Sequence, residues 1–129
     1  MICVDSDCLI DFLNGKEDAI NIFKKYMGQI VTTEVNLFEV FFGIYIKKHV
    51  NEKDKKSAEL FFDSIPILSV NDWGKNAAIN LTNLIKKGKT IDQNDCFIAS
   101  IILNSGFNKI ITRNVKHFSR ISSLEVITY

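Results

Sequence analysis

Short apolar runs that stop abruptly at polar residues, separated by helical stretches, set the fold class of this chain. Met1 to Val4 is apolar and ends at Asp5, Ile30 to Thr33 is β-branched throughout, and Ile67 to Val70 follows the only proline, Pro66. Lys109 to Thr112 and Val126 to Thr128 complete a set of five candidate strands. Such short, near-continuous runs read as strands buried on both faces.

The intervening stretches read as helices. Ser6 to Leu13 stops at Asn14-Gly15, and residues 17 to 27 carry Ile20, Ile22, Phe23 and Tyr26. Residues 34 to 48 are almost wholly apolar until Lys47-Lys48, and 53 to 63 are polar. Asn71 or Asp72 caps a helix reaching Lys87 before Gly88, and Asp92 caps another running to Asn104. Strands that alternate with helices imply a parallel sheet covered on both faces, because each parallel crossover needs a helix. The expected class is α/β, a three-layer αβα sandwich with a four- to five-stranded parallel sheet.

A chain of 129 residues suits one domain, 1–129, with one core. Six Gly and one Pro leave little room for linkers. No run reaches the roughly 18 apolar residues of a membrane span, and Met1-Ile2-Cys3-Val4-Asp5 does not open like a signal peptide. Cys3, Cys8 and Cys96 are odd in number, lack C-x-x-C spacing and sit among apolar residues. They read as buried thiols of a reducing compartment, and a cytoplasmic protein without a membrane partner is expected.

Net charge of +1 neither supports nor excludes a nucleic-acid partner, since clustering of charge decides phosphate binding. Basic residues cluster at Lys47-Lys48, at Lys53 with Lys55-Lys56, at Lys86-Lys87 with Lys89, and at Arg113, Lys116 and Arg120. Most such clusters are solvated helix faces. The last one lies beside a group of acids.

Three acids stand against the most apolar elements. Asp5 closes the first strand, at the edge where ligands bind in open α/β sheets, although it equally reads as a helix N-cap. Glu39 lies within Leu37-Phe38-Glu39-Val40-Phe41-Phe42. A helix apolar on all sides is expected to be buried, and an isolated carboxylate there costs several kcal/mol unless a cation or basic partner offsets it. Asp95 heads Cys96-Phe97-Ile98-Ala99-Ser100, with Asp92 three residues earlier, and a first-turn acid is the plain alternative. Ile110-Ile111 runs into Thr112-Arg113-Asn114, which face Asp5 if the fourth strand lies beside the first. Carboxylates grouped this way suit Mg²⁺ and phosphodiester hydrolysis. No H-E-x-x-H motif or Gly-rich phosphate loop is present, and neither His49 nor His117 has the context of a catalytic triad.

These segments together resemble PIN-domain ribonucleases, specifically toxins of VapBC-type toxin–antitoxin pairs. The resemblance rests on Val4-Asp5-Ser6-Asp7 with Leu9-Ile10-Asp11, then Asn36-Leu37-Phe38-Glu39-Val40 with Gly43. It continues through Ile91 and Asp95-Cys96-Phe97-Ile98-Ala99-Ser100, Ile111-Thr112-Arg113-Asn114-Val115-Lys116-His117-Phe118, and Leu124 to Ile127. Each motif alone is weak, but the four appear in order along the whole chain. The resemblance implies strand order 3-2-1-4-5 and a Mg²⁺- or Mn²⁺-dependent endoribonuclease, with Asp5, Glu39 and Asp95 as catalytic metal ligands and Asn114 completing the metal site. Ser6, Thr112, Arg113 and Lys116 are the expected RNA contacts. It further implies a homodimer and a cognate antitoxin that inserts a basic side chain or a helix, for which the helix at 34 to 48 offers a groove. His117 stands where such toxins carry Asp or Glu, so a fourth carboxylate is missing at both 114 and 117; an exposed turn is the expected setting of this histidine.

Two rival readings follow from departures and coincidences in the motifs. Without its fourth acid, the chain could be a PIN fold that binds RNA or a partner without turnover. Asp5-Ser6-Asp7 also mimics the nucleophile motif of haloacid-dehalogenase-like phosphatases, but Leu9 stands where that motif needs Thr.

Overall fold

The computed structural model describes residues 1–129. In chain order the elements are β1 (Ile2–Val4), α1 (Ser6–Leu13), α2 (Glu17–Lys25), β2 (Ile30–Thr33), α3 (Glu34–Tyr45) and α4 (Glu52–Ser64). They continue with β3 (Ile67–Leu68), α5 (Trp73–Lys86), α6 (Gln93–Asn104), β4 (Lys109–Ile111), α7 (Val115–Phe118) and β5 (Glu125–Ile127).

The five strands form one parallel sheet in the order β3-β2-β1-β4-β5. β1 is its centre: Cys3 pairs with Val31 on one side and Ile110 on the other. Alternation along the strands then fills both faces. Ile2, Val4, Ile30 and Ile111 point into a core shared with Leu9 of α1, Phe23 of α2, Val40 of α3 and Phe62 of α4. Cys3, Val31 and Ile110 point the other way, into a core built with Ala77 and Leu84 of α5, Ile98 and Ile102 of α6, and Phe118 of α7. Phe12, Phe23 and Phe61 knit α1, α2 and α4 together, with the Phe12 and Phe23 rings stacked at 4.2 Å. The expected αβα sandwich is thus present, with the strand order implied by the resemblance.

Four local expectations need correction. α3 ends at Tyr45 and is not buried on all sides: Phe38 (56%), Phe42 (52%), Tyr45 (52%) and Ile46 (67%) are exposed. Only Asn36 and Val40 on this helix are fully buried, because α1, α4, α6 and β2 pack against α3 and leave the side that carries Phe38 and Phe42 exposed. α7 was not expected, since four residues are too few to show a helical period. Asp72 precedes α5 with a left-handed backbone (φ 65°) and makes no side-chain cap bond. Asp92 likewise stands at the N-cap of α6 without capping it. No helix is long and apolar enough to cross a membrane.

Candidate active site

Three loops leave the carboxyl edge of the sheet side by side, because β2, β1 and β4 are neighbours. β1 is followed by Asp5, β2 ends in Thr33, and β4 runs into Thr112 and Asn114. Asp5 is both the N-cap of α1 and the centre of a polar cluster, so the two readings of this residue are compatible. Its Oδ1 accepts from the Ser6 backbone N–H at 2.8 Å and from Asn36 Nδ2 at 3.1 Å. Its Oδ2 accepts from Thr112 Oγ1 at 2.7 Å. Only 6% of Asp5 is exposed.

Glu39 enters from α3, half-buried rather than enclosed. Its Oε1 accepts from Ser6 Oγ at 2.8 Å, which ties it indirectly to Asp5. Asp95 enters from the first turn of α6 and is buried. Its Oδ2 accepts from Asn114 Nδ2 at 2.8 Å and lies 2.7 Å from His117 Nδ1. Asp92, mostly exposed, stands 4.0 Å from the same imidazole nitrogen.

The electrostatics of this edge favour a positive charge. Burial pushes the Asp5 carboxyl up to about 7; Asp7 and Asp95 add repulsion, while the Thr112 and Ser6 hydrogen bonds pull the other way. Burial also raises Glu39, with Asp95 and Asp7 repelling and Ser6 opposing. Asp95 is raised by burial and by Asp92 and Asp7, against the His117 contact. No Lys or Arg pairs with any of the three acids. A divalent cation fits this donor set: oxygen ligands that repel one another across a partly desolvated cleft gain most from a hard ion. Asp92, Asp95 and His117 also offer ligand atoms within 4.8 Å of one another, a mixed oxygen and nitrogen group at one side of the cleft.

The expected site residues fall into two groups. Asp5, Ser6, Glu39, Asp95, Thr112 and Asn114 form connected hydrogen-bond networks at the sheet edge. Arg113 and Lys116 do not join them. The Arg113 guanidinium turns toward Asp11 (3.7 Å) and Asp18 (3.6 Å) and lies 4.3 Å over the Tyr129 ring, while its backbone N–H donates to Asp7 Oδ2 at 2.9 Å. Lys116 is exposed on α7. His117, expected in an exposed turn, is instead half-buried on that short helix, because Phe118 beside it is driven into the core.

Asn36 is the member that sequence reasoning missed as a site residue. It is fully buried, and its one visible signal is an amide three residues after Thr33 in a helix whose only other polar side chains are Glu34 and Glu39. A buried amide requires partners, and here they are the Thr33 and Ser6 hydroxyls and the Asp5 carboxylate.

The sequence profile of the PIN domain matches residues 2–124. No curated protein matches the chain. Among solved structures, VapBC2 from Rickettsia felis, bound to a DNA fragment from the promoter, superposes with a TM-score of 0.84 at 22% identity, covering 100% of this chain and 99% of that one. DNA-bound VapBC from Salmonella typhimurium gives 0.84 at 19% identity, with 99% and 98% covered. VapBC-1 from nontypeable Haemophilus influenzae gives 0.81 at 22% identity, again with 99% and 98% covered. These likenesses agree with the fold, and the profile spans nearly every element from β1 to the residues before β5; the chain belongs to the PIN-domain family.

Proposed function

We propose that the protein is a Mg²⁺- or Mn²⁺-dependent endoribonuclease, the toxin of a VapBC-type toxin–antitoxin pair. The observation that carries this reading is the set of three carboxylates, Asp5, Glu39 and Asp95, each raised by burial and by neighbouring acids, gathered with no Lys or Arg partner at the carboxyl edge of the sheet. These three residues, with the Asn114 amide oxygen, would hold the cation. Once bound, such an ion polarises a phosphoryl oxygen, lowers the pKa of an attacking water and stabilises the leaving oxygen.

The remaining work falls to the chain itself. Thr112 and Asn36 fix the rotamer of Asp5 from opposite sides. Asn114 and His117 fix Asp95 through one oxygen. Ser6 spends its hydroxyl proton on Glu39, so it acts by orienting the acid rather than by gripping RNA. Lys116, exposed beside the cleft and free of ion pairs, is the side chain suited to steer an RNA backbone. The solved VapBC complexes support a cognate antitoxin as partner. The exposed Phe38, Phe42 and Tyr45 of α3 suit burial against that antitoxin or a second copy, and the reading places the protein in the cytoplasm.

The test is incubation of purified protein with mixed cellular RNA, with Mg²⁺, with Mn²⁺ and with chelator, beside Asp5→Asn and Asp95→Asn. Cleavage that needs metal and vanishes in both variants supports the nuclease. Cleavage that persists in both overturns the site. One observation favours a second reading: Asn114 and His117 supply no fourth carboxylate. RNA binding without cleavage at any metal concentration would establish that binding module instead.

A further inference from the structure

Asn36 joins the two acids that no direct contact joins. Its orientation is fixed by Thr33, the last residue of β2. Thr33 Oγ1 accepts from the Asn36 backbone N–H at 3.2 Å, so its own proton goes to Asn36 Oδ1 at 2.7 Å. The amide therefore turns Nδ2 toward the site, where its two hydrogens reach Asp5 Oδ1 at 3.1 Å and Ser6 Oγ at 3.0 Å. Ser6 Oγ, having accepted that hydrogen, has one proton left, and it goes to Glu39 Oε1 at 2.8 Å. Every donor in this relay has one direction available to it.

We infer that Asn36, acting directly on Asp5 and through Ser6 on Glu39, is a positioning residue that sets the spacing of these two carboxylates for the cation. The inference rests on the metal-nuclease reading. Its physical basis is that a ligating carboxylate keeps a fixed direction only where a donor holds it. Asn36 is fully buried and anchored to a strand end, so it supplies that hold with little freedom of its own. Asp95 is oriented separately, by Asn114 and His117. Of the three acids, Asp5 and Glu39 are thus one preset pair, and Asp95 closes on it from α6.

The test is calorimetric titration of Mn²⁺ into the metal-free protein, with thermal melts in chelator as a separate measure of folding. Two variants are compared with the original chain. Ser6→Ala cuts the relay to Glu39 alone, and Asn36→Leu replaces the amide with an apolar side chain of similar shape. The expected result is Mn²⁺ affinity weaker by about 10- to 100-fold in Asn36→Leu and by the lower end of that range in Ser6→Ala, the usual cost of removing a group that orients a metal ligand. The RNA cleavage rate at saturating RNA falls in parallel, while KM for RNA stays near its original value. A merely structural role would lower the melting temperature and leave the Mn²⁺ affinity of the folded protein unchanged; that result overturns the proposal. If Asn36→Leu shows no cooperative melt, Ser6→Ala decides alone by the same criterion. If the unaltered protein takes up no Mn²⁺, the metal-nuclease reading fails, and the positioning role falls with it. If it binds Mn²⁺ and both variants match it, only the positioning role fails.

Discussion

His117 Nδ1 stands 2.7 Å from Asp95 Oδ2, and Asn114 Nδ2 reaches the same oxygen at 2.8 Å. One carboxylate oxygen thus takes both contacts, leaving Oδ1 for the cleft. With a carboxylate as acceptor, Nδ1 carries the proton, and an asparagine amide can place an N–H near the same point. We expect His117→Ala to lower the cleavage rate by about 10- to 100-fold, as loss of an orienting partner does. His117→Asn should recover most of that loss. The measurement is the cleavage rate across a Mn²⁺ titration for both variants, and equal rates for the two would reject a donor role for Nδ1.

The elements that position the site were legible wherever one residue carries one strong signal. β1 is an apolar run cut off by an acid, so both the strand and Asp5 could be read directly. The adjacency of β1 and β4, on which Thr112 and Asn114 depend, came from the resemblance, because nothing local in Lys109–Ile111 names its neighbour. α3 failed differently. Its apolar residues run all round, and periodicity cannot tell a buried helix from one with an exposed apolar side, so the expectation of burial fails at Phe38 and Phe42. The contacts of Asn36 and His117 are not legible in the sequence because they depend on hydrogen-bond direction. Asn36 reaches 31 residues back to Asp5, and His117 reaches 22 residues back to Asp95, and neither contact is written in local spacing.

The two cations expected at the RNA should separate in their salt dependence. Arg113 is held by Asp11, Asp18 and the Tyr129 ring, whereas Lys116 is exposed and unpaired. Lys116→Ala should reduce the slope of log affinity against log salt by about 0.7, the value for one phosphate contact on a single strand. Arg113→Ala should leave that slope unchanged. Fluorescence anisotropy with a labelled RNA, in chelator to prevent cleavage, measures both. A reduced slope for Arg113→Ala would show that the guanidinium leaves its acidic partners for RNA.

The three thiols should be silent in the folded protein. Cys3, Cys8 and Cys96 are each 0% exposed. Burial, together with nearby acids, holds all three in the protonated form, and Cys8 is pushed up to about 12. Because the thiolate is the reactive species, a maleimide or disulfide reagent at neutral pH should label none of them within minutes, and all of them in denaturant. Slow labelling that tracks denaturant would report global opening. Rapid labelling of Cys8 alone would instead mean that α1, which follows Asp5 directly, opens locally.

Stability without metal should fall as pH rises, and Asp5 sets the sign. Its carboxyl titrates at about 7 in the folded chain against an ordinary 3.8, chiefly because burial opposes the charge. Between those values the folded state binds more protons than the unfolded one, so each step upward in pH favours unfolding. The cost is absent below 3.8, grows through this window and is complete above about 7. Asp5→Asn removes the charge and can keep the hydrogen bonds. The amide oxygen still accepts from the Ser6 N–H and Asn36, and its nitrogen faces Thr112 Oγ1, whose proton then turns to Asp7 Oδ2 at 3.3 Å. We therefore expect Asp5→Asn to be more stable than the original chain at pH 8 in chelator, by on the order of 2 to 4 kcal/mol. The advantage should vanish near pH 4. Saturating Mn²⁺ should shrink or reverse it, because the ion stabilises only the chain that binds it well. Denaturant melts at the two pH values, with and without Mn²⁺, check all three signs. An Asp5→Asn protein that is less stable at pH 8 in chelator would mean that the hydrogen bonds to the ionised carboxylate outweigh its burial.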